Sequence, residues 1–299
     1  MVLDLTGKTI LMTGATHGIG FEAALRLAER GATLVLVARD RGRGEAALAR
    51  VRRRARGLPP SLLGCDLASL AEVRGLADGV HRGWRRLDVL VNCAGTVSAR
   101  RRTTPDGHEW TLAVNHLAPF LLTHLLLDLL KASAPARIVT VASGAHFRGS
   151  LDFENLQYQH GGYSILAAYA RSKLANVLFT RELARRLAGT GVTANSLHPG
   201  RVASNIWSGA PWYARPALAL YKRFLLPAGY GADRVAYVTT SPEVAGVSGA
   251  YFDRDRAVEP SLLARDPSLA VRLWEVSACL TGLDGAGGRG PSERPEAGS

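Results

Sequence analysis

The chain has 299 residues, 47% of them apolar and 21% charged. That composition suits one α/β domain with a sizeable core and excludes collagen-like and disordered chains. A formal charge of +12 raises nucleic acid or an anionic surface as a partner. All but four of the 37 Lys and Arg residues are arginines, however, and they are scattered over many expected helix faces. The densest runs, 50–56 and 100–102, lack the interleaved aromatic groups that stack on bases, so nucleic-acid binding is not expected. Cys65, Cys93 and Cys279 are odd in number and far apart, which argues against a disulfide framework and against a metal site.

In chain order, strand-like apolar runs fall at Thr9–Thr13, Thr33–Ala38, Leu62–Cys65, Val89–Asn92, Ile138–Ala142, Val192–Leu197 and Gly249–Phe252. Helical spacing of apolar residues separates most of them, as in Phe21–Arg30 and Ala170–Leu187. Nearly continuous apolar strands are buried on both faces, and strand–helix alternation implies a doubly wound parallel sheet, a Rossmann-like α/β fold in one domain. The domain is expected over 1–281, followed by a frayed Gly/Pro/Ser-rich tail over 282–299. The first strand starts near Lys8, so no secretory signal is expected, and the most apolar run, Leu117–Leu130, is too short to span a bilayer. A cytoplasmic location with no transmembrane segment is therefore expected.

In such sheets ligands bind beyond the carboxyl ends of the strands, so chemistry is sought just after each one. The first strand runs into Thr13-Gly14-Ala15-Thr16-His17-Gly18-Ile19-Gly20. Glycines there let the backbone turn tightly and approach a pyrophosphate, and the following helix offers its N-terminal N–H groups. Arg39 ends the second strand, with Arg41 and Arg43 close behind, which favours a 2′-phosphate and hence NADP(H) over NAD(H). Asp40 points the other way unless it caps the next helix.

Ser143 follows the fifth strand, where its hydroxyl could bond a carbonyl oxygen, or merely start a turn. Tyr169 and Lys173 stand four residues apart and so share a helix face. A neighbouring ammonium is expected to lower the phenol toward a working pH, making Tyr169 a proton donor and acceptor.

The pattern T-G-x-x-x-G-I-G, with Asp66-Leu67, Asn92-Cys93-Ala94-Gly95, Asn115, Ser143, Tyr169-x-x-x-Lys173 and Pro199-Gly200 in order over about residues 5–255, resembles the short-chain dehydrogenase/reductases. Val114–Thr123, Ser172–Phe179 and Arg272–Glu275 are similar to the retinol dehydrogenase and dehydrogenase/reductase member 13 group. The resemblance implies catalytic roles for Asn115, Ser143, Tyr169 and Lys173. It implies cofactor contacts from Gly14, Thr16, His17, Gly18, Ile19, Gly20, Arg39, Asp66, Leu67, Asn92, Ala94, Gly95, Lys173, Pro199 and Gly200. Asp66 would face the adenine, Asn115 would bend its helix and hold a relay water, and Pro199-Gly200 would close over the nicotinamide. Cys93 replaces the family's second Asn. The expected substrate is a small lipophilic aldehyde or ketone, or its alcohol; a non-catalytic NADP(H) sensor is the alternative. Residues 200–237, with Trp207, Trp212, Tyr213, Tyr221 and Phe224, read as a substrate lid, as plain packing or as a membrane contact. Homo-oligomerisation is left open.

Overall fold

The computed structural model describes residues 4–200, 202 and 226–283. Its parallel strands are β1 (Thr9–Thr13), β2 (Thr33–Ala38), β3 (Ser61–Gly64), β4 (Val89–Asn92), β5 (Ala136–Val141), β6 (Val192–His198) and β7 (Tyr251–Asp253). β8 (Arg256–Val258) closes the edge antiparallel to β7. The order β3-β2-β1-β4-β5-β6-β7-β8 reverses direction between β1 and β4, the switch point at which a doubly wound sheet opens its ligand crevice.

Successive side chains on a strand point to opposite faces, and the core divides accordingly. Ile10, Met12, Leu34 and Leu36 pack with α1 (Gly18–Glu29), α2 (Arg41–Arg52) and a helix over Ala228–Thr240. Leu11, Val35, Val37 and Leu90 face the other layer, built from α3 (Leu70–Gly83), a helix over Ala118–Leu125 and a long one over Ile165–Arg186. In that layer Phe120 and Phe179 are fully buried with ring centroids 5.4 Å apart. Burying each such ring contributes about 1.5–3 kcal/mol.

The helix that carries Asn115, where the resemblance implies a bend, is broken. A turn over Trp110–Leu112 (α4) passes into a π-helical turn, Ala113–Leu117, before Ala118–Leu125 (α5) and Leu127–Ala132 (α6). The long helix Ile165–Arg186 (α7) starts where the Ser164 hydroxyl accepts from the Ala167 N–H at 3.1 Å. Ala228–Thr240 (α8) and Pro267–Thr281 (α9) complete the α-helices among the described residues, beside short 3-10 turns at Gly144–Arg148, Pro242–Val244 and Leu263–Arg265. α9 ends at Gly282, which takes the left-handed conformation that glycine favours (φ 65°). The proposed tail from 284 onward, and residues 201 and 203–225 of the expected lid, lie outside the described residues. At the base of that stretch Val202 and Leu226 form an isolated parallel bridge. No described helix is long and apolar enough to cross a membrane.

Candidate active site

A cleft of about 1080 Å³ lies over the carboxyl ends of the strands. Of the residues expected from sequence, Gly14, Thr16, His17, Gly18, Ile19, Gly20, Arg39, Asp66, Leu67, Ala94, Gly95, Ser143, Tyr169, Lys173, Pro199 and Gly200 all line it. Asn92 and Asn115 are not part of its lining. The Asn92 amide donates to Thr123 Oγ1 at 3.1 Å and so ties the end of β4 to α5.

At one end the backbone shapes the cradle. Gly14 has φ +71°, and a Cβ there would meet the Ala94 backbone at 2.7 Å. Two chain segments can therefore approach only because the residue is glycine. No side chain caps α1, so its first-turn N–H groups stay available to an anion. Thr13, which sequence reasoning passed over, ties the two loops together: its Oγ1 accepts from the N–H of Cys93 (3.1 Å) and of Ala94 (3.2 Å). Its place as the last residue of β1 was the only signal. These features fit a dinucleotide's pyrophosphate and ribose.

Next to this cradle, the Asp40 carboxylate accepts from the Arg43 N–H at 2.7 Å and is the N-cap of α2. Arg39, Arg43 and His17 line the same end of the cleft. Burial, and then the charge of Arg43, hold His17 below the usual imidazole range. The Asp66 carboxylate accepts from the Ala68 N–H at 3.0 Å, while Ser69 caps α3.

At the opposite end, Ser143, Tyr169 and Lys173 converge. Ser143 Oγ accepts from the Ala145 N–H at 3.1 Å. Lys173 is buried at 2% exposure and donates from Nζ to the Val141 carbonyl at 2.9 Å. Its Nζ lies 5.6 Å from the centre of the Tyr169 ring. Burial drives Lys173 down to about 8, because an ammonium loses its water there. The expected lowering of Tyr169 by Lys173 is not what the site produces. Burial pushes this phenol up, opposed by a hydrogen bond with Ser143. Asn115 is fully buried in the π turn. Its Oδ1 accepts from the Thr96 N–H at 2.7 Å, and its Nδ2 donates to the Thr96 carbonyl and to Ser172 Oγ, both at 3.0 Å. The Ser172 hydroxyl in turn donates to the Tyr169 carbonyl at 2.8 Å. The π turn and the catalytic helix are thus locked together by a buried amide. Among the described residues no group of three or more His, Cys, Asp or Glu is placed to hold a metal ion.

A switch-point cleft with a glycine cradle at one end and a Ser–Tyr–Lys cluster at the other defines an oxidoreductase of the nicotinamide-dependent class. Residues 8–211 match the short-chain dehydrogenase family model, and the chain belongs to that family. It is an oxidoreductase acting on CH–OH groups, in a family that uses NAD(P)(H). It is 41% identical to human (Homo sapiens) retinol dehydrogenase 13 over 285 residues, 94% of this chain and 86% of that protein. It is 45% identical to dehydrogenase/reductase SDR family member 13 of Bos taurus over 297 residues, 98% of this chain and 76% of that one. Among solved structures, an uncharacterised protein from Mycobacterium Paratuberculosis superposes with a TM-score of 0.77 at 34% identity, covering 94% of this chain and 96% of its own. A short-chain dehydrogenase from Burkholderia cenocepacia J2315 in complex with NADP superposes with a TM-score of 0.67 at 30% identity, covering 83% and 96%.

Proposed function

We propose that this protein interconverts an apolar aldehyde or ketone, retinal-like or otherwise lipophilic, and its alcohol, using NADP(H) in preference to NAD(H). The observation that carries the reading is the convergence of Ser143, Tyr169 and Lys173 at one end of the cleft, opposite the glycine cradle. The preference for a 2′-phosphate rests on Arg39, Arg43 and His17 sharing the phosphate end while Asp40 is occupied as a helix cap. When bound, the nicotinamide supplies or accepts the hydride.

The rest belongs to the protein. Ser143 orients the carbonyl oxygen and stabilises the charge that develops on it. Tyr169 gives that oxygen its proton; a phenol pushed up by burial keeps its proton at neutral pH and so suits the reducing direction. Lys173, with Nζ 5.6 Å from the Tyr169 ring centre, would hold the nicotinamide ribose. Asn115 holds the turn beside Thr96 that supports the relay. Trp110, Val114, Leu166 and Ala167 wall the cleft beside Tyr169, matching an apolar substrate. The domain runs over 1–281, in a cytoplasmic protein.

The test is NADPH oxidation against a panel of retinal, long-chain aldehydes, quinones and steroid ketones. Turnover of one apolar class, lost in Tyr169→Phe, is expected. NADPH binding with no turnover across the panel would favour a sensor instead. Equal affinity for NADPH and NADH would overturn the cofactor preference.

A further inference from the structure

We infer that two neutral imidazoles, His146 and His198, clamp the Ser143–Gly144 turn and aim the Ser143 hydroxyl, which makes both of them positioning residues. The inference rests on the reading of Ser143 as the group that orients the carbonyl. Ser143 sits on a connection, not inside a strand. It is the N-cap residue of a short 3-10 turn, Gly144–Arg148, that follows β5. A hydroxyl on a free loop would sample several directions, and a misplacement of about 1 Å in a reacting group can cost roughly 10²-fold in rate.

Bonds to the two ends of one peptide, the Ser143 carbonyl and the Gly144 N–H, fix the turn, and their donors and acceptors leave no choice of tautomer. His146 Nδ1 lies 2.8 Å from the Ser143 carbonyl oxygen. A carbonyl only accepts, so Nδ1 carries the proton. His146 Nε2 accepts from the Ser261 backbone N–H at 3.1 Å, so that nitrogen bears the lone pair. The ring is fully buried, with Phe147 and Tyr251 centroids at 4.1 and 4.6 Å. It joins the catalytic turn to the segment that follows β8. His198, the last residue of β6, makes the complementary contact. Its Nδ1 accepts from the Gly144 N–H at 3.1 Å, so its proton resides on Nε2. One ring therefore donates to the carbonyl of Ser143 and the other accepts from the next N–H along the chain. Because the two tautomers are opposite, neither histidine can replace the other. With the single Ser143–Gly144 peptide held at both its carbonyl and its N–H, Ser143 Oγ keeps its bond from the Ala145 N–H and its hydroxyl stays beside Tyr169 in the cleft.

Two measurements test this. The first needs no turnover. In ¹⁵N NMR of the folded protein at pH 7.5, His146 is expected as the Nδ1–H tautomer and His198 as Nε2–H; the opposite tautomer or a charged ring at either position overturns the clamp. The second is a double-mutant cycle on single-turnover NADPH oxidation, using the panel carbonyl that the wild type reduces fastest. Ser143→Ala is expected to slow hydride transfer by about 10²-fold. His198→Leu is expected to cost about tenfold in the wild type but less than about twofold in the Ser143→Ala background, because the clamp acts through the serine. His198→Asn, whose Oδ1 can accept from Gly144 where Nδ1 did, should recover most of the rate. Equal losses from His198→Leu in both backgrounds, or no rescue by Asn, would remove the clamp and leave the serine's role standing. A wild-type rate in Ser143→Ala would remove both.

Discussion

Beside Tyr169 the working groups are buried, with Lys173 at 2% exposure and Asn115 at 0%, whereas at the phosphate end Arg39 and Arg43 stand in solvent. The buried end is held by directed bonds: Lys173 to the Val141 carbonyl, Asn115 to both peptide groups of Thr96, and His146 and His198 to the serine turn. The exposed end relies on charge, screened by water and salt over about 10 Å at 0.1 M. Chemistry demands position and takes the stable, desolvated end. On the proposed reading, cofactor choice needs only a charge preference, which the solvent-facing Arg39 and Arg43 would supply.

Breaking the buried end should show the largest effects. Lys173→Met should lower turnover by about 10³-fold. It should also stabilise the fold by about 1–3 kcal/mol at neutral pH, since it removes a buried ammonium with one carbonyl for a partner. The sign follows from the lowered folded value of about 8. The penalty is complete below pH 8 and recedes as pH rises toward the unfolded lysine value. Urea unfolding and steady-state assays on the same samples would check both halves. A loss of activity joined to a loss of stability would contradict the picture of a group placed for chemistry at a cost to folding.

The second effect concerns direction and pH. On the proposed mechanism, reduction needs the protonated Tyr169 and alcohol oxidation needs the phenolate. With the phenol pushed up by burial, oxidation should rise and reduction should fall about one shared midpoint that lies above the ordinary phenol value. Parallel pH–rate profiles in the two directions would contradict this.

A third effect sharpens the comparison through stability alone. His116 is fully buried in the π turn, its Nε2 2.8 Å from Ser277 Oγ on α9. Burial takes it down to about 4. The unfolded chain accepts a proton near 6.5 and the folded chain resists it. This contribution is whole above pH 6.5 and is lost as pH falls toward 4, by about 2 kcal/mol at pH 5. His116→Gln, whose amide can still reach Ser277, should flatten that slope in urea unfolding.

The smallest effect belongs to the exposed end. Arg39→Ala should weaken NADPH binding by about tenfold at low salt, less at high salt, and leave NADH nearly unchanged. Isothermal titration at two ionic strengths would measure it. A salt-independent loss would mean that Arg39 acts by directed bonding after all.

Much of this was legible before any coordinates. The strands of the sheet interior read directly because they are apolar on both faces, and the glycine turn read because its spacing sits at a strand–helix junction. β8 did not, since Arg256–Val258 is exposed and follows a turn in which Arg254 takes φ 60°. Periodicity did not show the π turn at Ala113–Leu117, because its apolar spacing continues that of the neighbouring helix; only the resemblance placed a bend at Asn115, which bonds across to Thr96. Asp40 was ambiguous for the same kind of reason: ribose partner and helix cap call for the same residue type, and only the Arg43 N–H distinguishes them. The rise of Tyr169 was missed because sequence spacing reveals a neighbouring charge but not the desolvation that outweighs it.

The most direct test of the central claim is single-turnover hydride transfer from NADPH in the wild type and in Tyr169→Phe, with cofactor binding read separately from tryptophan quenching. The expected result is NADPH affinity within about twofold of the wild type and hydride transfer slower by about 10²–10⁴-fold. A Tyr169→Phe protein that binds NADPH and transfers hydride at the wild-type rate would contradict the assignment of Tyr169 as the proton donor.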